Sequence, residues 1–201
     1  VDPARDRVEL DGQGLVALPS GQEYVLLHKR RDSLVTRSDE RGRRTVYDEL
    51  DVRPSTVAVG RLDRDTTGAL LLTDDGELAY RLMHPSYGAE KRYVAVVHGH
   101  PGETSLDRLR RGVELEDGIT APARVQRLSD TVDGRGRIEL VLKEGRKHQV
   151  KRMCLAVGHR VVSLRRESFA GLVLGDLRAG QWRRLRGPEV TRLQRSVGLA
   201  R

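Results

Sequence analysis

Cysteine is almost absent. Cys154 is the single one in 201 residues, which excludes an intrachain disulfide and a cysteine-based metal cluster. With no thiol pair to oxidise, a reducing cytoplasm is the expected compartment. Aromatic residues make up 3% of the chain, and no aromatic-rich RNA-recognition consensus occurs. That argues against sequence-tolerant binding of single strands on stacking platforms. No apolar run approaches the roughly 20 residues that cross a bilayer, and no stretch has the pattern of a signal peptide, so no membrane partner is expected. A nucleotide-binding glycine loop, a metal-ligand cluster and an electron-carrier motif are all missing. Neither a metal nor a small-molecule cofactor is therefore expected. No internal repeat or low-complexity tract appears.

What is present is charge, and it is unevenly placed. Charged residues make up 33% of the chain and hydrophobic ones 37%, with a net charge of +8 and a pI near 10.1. Residues 1–142 hold 22 Lys/Arg against 25 Asp/Glu, whereas residues 143–201 hold 15 against 4. The whole basic excess thus lies in the last third. A localised basic face is the electrostatic footprint of a phosphate-backbone binder. The length allows one large domain or two small subdomains sharing a core.

The most informative stretch runs from Val59 to Gly76. Asp63 stands between Arg61 and Arg64 in a Gly-bounded turn, directly before the apolar run Ala69–Leu72. That run is short and continuous, as in a strand buried on both faces. Asp63 then sits on a loop at a sheet edge, where catalytic groups are often held by rigid flanks. Arg61 and Arg64 are expected to keep it ionised. Read locally, Asp63 is equally a turn residue paired with an arginine.

Around this loop the pattern alternates between strands and short helices. Residues 24–29, 90–99, 122–128 and 137–143 read as strands. A short helix is expected from near Thr45, another over 75–84 with Asp75 as N-cap and Pro85 as the stop, and a basic one over 105–112. His84 reads as a helix-terminus residue. Tyr93 follows Lys91 and Arg92 at the head of a strand, so its ring faces either the core or a cleft. From Lys147 to Val157 the pattern is helical, with Val150, Met153, Cys154 and Val157 as the apolar stripe, ended by Gly158. Residues 187–201 form a terminal helix or a basic disordered end.

Three ordered motifs carry a resemblance. Gly60-Arg61-Leu62-Asp63, with Thr66, Gly68, Leu70–Leu72, Thr73, Asp75 and Gly76, resembles the signature of the ribosomal-RNA pseudouridine synthases. Lys91-Arg92-Tyr93 resembles their K-x-Y motif, and Glu144-Gly145-Arg146-Lys147-His148-Gln149-Val150-Lys151-Arg152-Met153 their third motif. The similarity spans about residues 23–186. At 28–36 the chain departs from the family, lacking the Pro and Gly of its usual turn.

The resemblance implies an α+β fold, with a mixed and mainly antiparallel sheet crossed by a catalytic cleft. It implies a catalytic domain over 23–186, preceded at 1–22 by the stump and linker of a small RNA-binding module, and followed by a basic tail at 187–201. Asp63 would be the catalytic carboxylate, Tyr93 would contact the target base, and Lys151 would pair with Asp63. Leu172 or Leu174 would pack beneath the base. Arg61, Arg64, Arg92, Arg146 and Lys147 would grip flanking phosphates of ribosomal RNA. A monomer is expected, turning one uridine into pseudouridine after flipping it from its stack. The rival readings are a non-catalytic RNA-binding assembly protein on the same fold, and a carboxylate-dependent glycosidase, which would need a second catalytic carboxylate.

Overall fold

The computed structural model describes residues 9–10, 13–14 and 21–199. Glu9–Leu10 (β1) pairs antiparallel with Gln13–Gly14 (β2). The rest of the segment at 1–20, on which the expectation of a module stump and linker rests, lies outside the described residues.

The other strands are β3 (Tyr24–Lys29), β4 (Val57–Ala58), β5 (Thr67–Thr73), β6 (Lys91–Val97), β7 (Glu114–Leu115), β8 (Gly118–Ile119), β9 (Arg124–Leu128), β10 (Gly136–Leu142), β11 (Val161–Phe169), β12 (Leu172–Val173) and β13 (Trp182–Arg184). The helices are α1 (Gly76–Met83), α2 (Glu103–Arg111), α3 (Gln149–Ala156) and α4 (Gly187–Ser196). One sheet dominates, ordered β13-β3-β5-β11-β6-β10-β9, with β4 beside β5 and β12 beside β11. Its pairings are antiparallel except where β5 meets β11, at Arg165 opposite Thr67 and Arg166 opposite Gly68. This is the expected α+β arrangement.

β5 is apolar without interruption because both its faces are covered. Ala69 and Leu71 join Leu26, Leu78 and Leu82 on one side, while Leu70 and Leu72 join Val25, Leu27 and Val46 on the other. A separate cluster fills the far half of the sheet, where Ala95, Val97, Ile138 and Leu140 meet Leu106 and Leu109 of α2 and Val150, Met153 and Cys154 of α3. The apolar stripe read from the sequence of α3 is therefore core. So is part of the C-terminal segment: α4 forms, and its Leu193 and the following Val197 are buried against the β5–α1 layer. Arg183 fastens α4 through two hydrogen bonds to Glu189, at 2.8 and 2.7 Å.

Two helix expectations change. The segment after Thr45 is only a 3-10 turn at Tyr47–Glu49, because Asp48 accepts from the backbone N–H of Thr45 and Leu50 is already extended. α3 begins at Gln149 rather than Lys147, since His148 takes a left-handed conformation, φ 50°. α1 matches its expected bounds closely. Asp75 accepts from Leu78 N–H as N-cap, and Pro85 opens a 3-10 turn after His84.

Candidate active site

The loop before β5 and the loop before α3 meet where β5 and β11 join. Lys151, on the first turns of α3, places Nζ 3.0 Å from Asp63 Oδ2 and 2.5 Å from Asp65 Oδ1. His148 Nε2 lies 3.5 Å from Asp63 Oδ1, a position that depends on its left-handed backbone. Asp63 therefore takes its counter-charge from α3. Its sequence neighbours do not supply it: Arg64 pairs with Asp32 at 3.1 Å, and Arg61 lines the cleft.

Burial pushes the Asp65 carboxyl up, but the hydrogen bond and charge of Lys151 outweigh this and leave it below the usual carboxylate range. Lys151 is lowered by burial and raised more strongly by its two carboxylates, so its pKa ends above normal. The ammonium is held charged between them.

Beneath the loop lies Lys29, fully buried. Its Nζ donates to the carbonyl oxygens of Arg30, Arg64 and Thr66 at 3.0, 3.2 and 3.0 Å. Two of these belong to the Asp63 loop, so the lysine ties that loop to β3. Desolvation lowers its pKa to about 8, opposed by the charges of Asp65 and Asp63.

A cleft of about 850 Å³ opens beside Asp63. Tyr93 stands on its wall with Lys91, and Arg166 and Phe169 face them from β11. A smaller hollow of about 70 Å³ continues from Asp63 and Tyr93 to Leu142, Val150 and Leu164. The apolar side chains of that hollow are Leu62, Leu142, Val150 and Leu164. Leu172 and Leu174, expected under the base, are buried instead in the cluster around Leu26 and Leu78.

The five expected phosphate-gripping residues divide. Arg61 and Lys147 line the cleft. Arg64 and Arg92 are half-exposed and ion-paired, the latter with Glu139 at 3.5 Å. Arg146 also lines the cleft, and its side chain is held in place: it donates to Glu144 and to the carbonyls of Asp117, Gly118 and Ile119. It pins the β7–β8 hairpin to the loop before α3, which is a bracing contact. Sequence reasoning passed over Asp65, His148, Lys91, Arg166 and Phe169. The motif spacing held a signal for two of them, since Lys91 opens K-x-Y and His148 lies inside the third motif.

Among the described residues no group of three or more His, Cys, Asp or Glu is placed to hold a metal ion, and no helix is long and apolar enough to cross a membrane.

This geometry has relatives. The family described as RNA pseudouridylate synthase matches residues 23–156. A "Ribosomal large subunit pseudouridine synthase B" of Bacillus subtilis (strain 168) is 44% identical over 191 residues, covering 94% of this chain and 78% of that protein. An "Uncharacterized RNA pseudouridine synthase" of Aquifex aeolicus (strain VF5) is 39% identical over 203 residues, covering 99% and 80%. A solved structure titled "Crystal structure of pseudouridylate synthase" superposes with a TM-score of 0.79 at 33% identity, over 86% of this chain and 74% of that one. The family match contains Asp63 and Tyr93, which line one cleft, and Lys151, which pairs with Asp63. On these grounds the chain belongs to the RNA pseudouridylate synthase family.

Proposed function

We propose that this protein converts a specific uridine of ribosomal RNA to pseudouridine, with Asp63 as the catalytic carboxylate. The observation that carries the reading is the Asp63–Lys151 pair at the edge of a cleft bordered by Tyr93. The names of the relatives, one of which specifies the large ribosomal subunit, support ribosomal RNA as the substrate.

The reaction breaks the N1–C1′ bond, turns the freed uracil and joins its C5 to C1′, after which C5 loses its proton and N1 ends protonated. It consumes no oxidant, reductant or water, so the atoms of substrate and product are the same. As C1′ loses the base it becomes electron-poor, the situation in which a carboxylate stabilises or traps a sugar centre. Asp63 meets that need, and Lys151 orients it through one short contact. Tyr93 borders the detached ring and keeps it beside the sugar while it turns. The target base leaves its stack to reach the cleft. Arg61 and Lys147 take flanking phosphates, with Arg64 and Arg92 at the rim. The enzyme works as a cytoplasmic monomer in ribosome biogenesis, without a cofactor.

The structure does offer a second carboxylate, Asp65, which the glycosidase reading requires. A glycosidase acid must have a raised pKa to hold its proton at neutral pH. Asp65 is shifted the other way by Lys151. The isomerase reading is therefore preferred.

The test is incubation with ribosomal RNA followed by mapping of pseudouridine. One modified uridine that is lost in Asp63→Asn is the expected result. Free uracil release would indicate hydrolysis, and binding without modification would indicate a non-catalytic protein.

A further inference from the structure

The floor of the cleft brings together two cations, the buried Arg166 and the half-buried Lys91, neither of which forms an ion pair among the described residues. Lys91 and Arg166 lie on neighbouring strands, where β6 and β11 pair Lys91 with Phe169 and Tyr93 with Arg166. All four residues line the cleft. Arg166 is 2% exposed. Its one hydrogen bond is from Nε to the Ala69 carbonyl at 2.7 Å, and its buried Nη2 has no partner. Lys91 Nζ donates only to the Ala89 carbonyl, at 2.8 Å. Both cations rest against the Phe169 ring, Arg166 at 4.9 Å and Lys91 at 5.8 Å from its centre. That ring offsets a small part of the cost of burial.

Buried charges are ordinarily paired, because removing an ion from water costs several kcal/mol. Several partly or fully buried carboxylates in this protein follow the rule, and the buried Lys29 has three carbonyl acceptors instead. Glu189, Asp74 and Glu23 each meet an arginine. Here the neighbouring charges are alike. Lys91 is lowered to about 8 by desolvation and then by the Arg166 charge, with Glu144 opposing only weakly. Two like charges thus stand close together, and one buried N–H group of Arg166 is unused.

We infer that Lys91 and Arg166 form a subsite for one backbone phosphate of the bound RNA, next to the flipped nucleotide. The inference rests on the proposed RNA-modifying function and names a contact inside it. A phosphodiester supplies the full negative charge that the pair lacks, and two acceptor oxygens for the unused N–H groups. Lys91 precedes Tyr93 by two residues on the same strand face, about 7 Å along the chain. A strand whose base lies against Tyr93 therefore carries a neighbouring phosphate over Lys91. Such a contact fixes the register of the strand and carries no base identity.

Lys91→Met and Lys91→Arg test this in three readouts. The first is affinity for a ribosomal RNA fragment across a salt series. Loss of one phosphate contact should reduce the slope of log affinity against log salt by about 0.7. Lys91→Met should show that reduction, with affinity about tenfold weaker at low salt, and Lys91→Arg should keep the wild-type slope. The second is melting of the free protein. Relief of the like-charge contact should leave Lys91→Met as stable as wild type or more so, the opposite of what a structural lysine would show. The third moves a single neutral methylphosphonate along the bound strand. At one position it should weaken wild type and cost Lys91→Met nothing further.

An unchanged salt slope in Lys91→Met would overturn the inference. So would additive losses at every methylphosphonate position, or a lowered melting point with RNA binding intact. Wild-type protein that binds RNA but makes no pseudouridine would defeat the proposed reaction alone, leaving the three readouts interpretable.

Discussion

Lys151 Nζ lies between two carboxylates of one loop, 3.0 Å from Asp63 and 2.5 Å from Asp65. Its partners are not equivalent. Asp65 is half-exposed, whereas Asp63 is turned toward the cleft that Tyr93 and Arg61 line. The ammonium thus secures the loop through one carboxylate and orients the other.

Replacing Asp63 by Asn keeps the shape and removes the charge that the proposed reaction needs at C1′. Pseudouridine formation is expected to fall by about 10³-fold or more, with RNA affinity within a few-fold of wild type. Single-turnover mapping on ribosomal RNA, with a parallel binding assay, checks both halves. Turnover near the wild-type rate would remove Asp63 from the chemistry.

Lys151→Met leaves the Asp63 and Asp65 carboxylates near each other without their cation. Two like charges cannot both ionise easily at short range. The acid limb of the pH–rate profile is therefore expected to move to higher pH, with the rate at neutral pH down about 10- to 100-fold. Lys151→Arg retains the charge and should leave the acid limb in place. Asp65→Asn should cost less than tenfold, because Asp63 keeps its contact.

Gly68 is set by close packing. Its φ is 117°, and a Cβ there would run into the backbone of Arg166, its partner on β11. Gly68→Ala must therefore open the parallel join under the active site. A loss of about 3 kcal/mol or more is expected from strain and broken pairing, read as a lower urea midpoint. Gly60→Ala also meets a positive φ but has open space around it, and should cost less.

Alkaline pH should move stability and RNA binding in opposite directions. Lys29 and Lys91 both have pKa values lowered to about 8 by burial. Between pH 8 and about 10.4 the unfolded chain holds protons on these lysines that the folded chain has released, so stability rises with pH. Cys154, pushed up to about 12 by burial, acts in the opposite sense from its lower unfolded value upward. Two groups outweigh one, giving a gain of about 1 kcal/mol between pH 8 and 9. Urea titrations at pH 7.5, 8.5 and 9.5 measure it. RNA affinity should decline over the same range as Lys91 loses its charge, and Lys91→Met should remove that decline.

Much of this was legible from residue order. The uninterrupted Leu70-Leu71-Leu72 run identified a doubly covered strand because no polar residue interrupts either face. Asp63 and Lys151 were marked by long motifs, although 88 positions separate them. What the sequence hid were choices between partners. Arg61 and Arg64 lie beside Asp63 in the chain, but neither forms the ion pair with it, and Lys151 reaches it through space. Arg146, which lines the cleft, is also bonded to backbone carbonyls of the β7–β8 hairpin, which no side-chain pattern reveals. Nothing in the sequence marked Arg166, which is buried at the parallel join opposite Gly68. His148 read as helical, because its left-handed turn is a backbone feature.

The bridge between Lys151 and the Asp63 loop also sets an order of events during synthesis. At roughly 5–20 residues per second, Asp65 leaves the ribosome about 4–17 s before Lys151, since 86 positions separate them. The strand that completes the join, β11, follows later still. Throughout that interval the emerging chain contains the acidic portion, with 22 basic against 25 acidic residues up to position 142. Over these residues the unfinished chain lacks both the Asp63–Lys151 contact and the basic last third. The basic excess of this segment arrives together with the lysine that completes that contact.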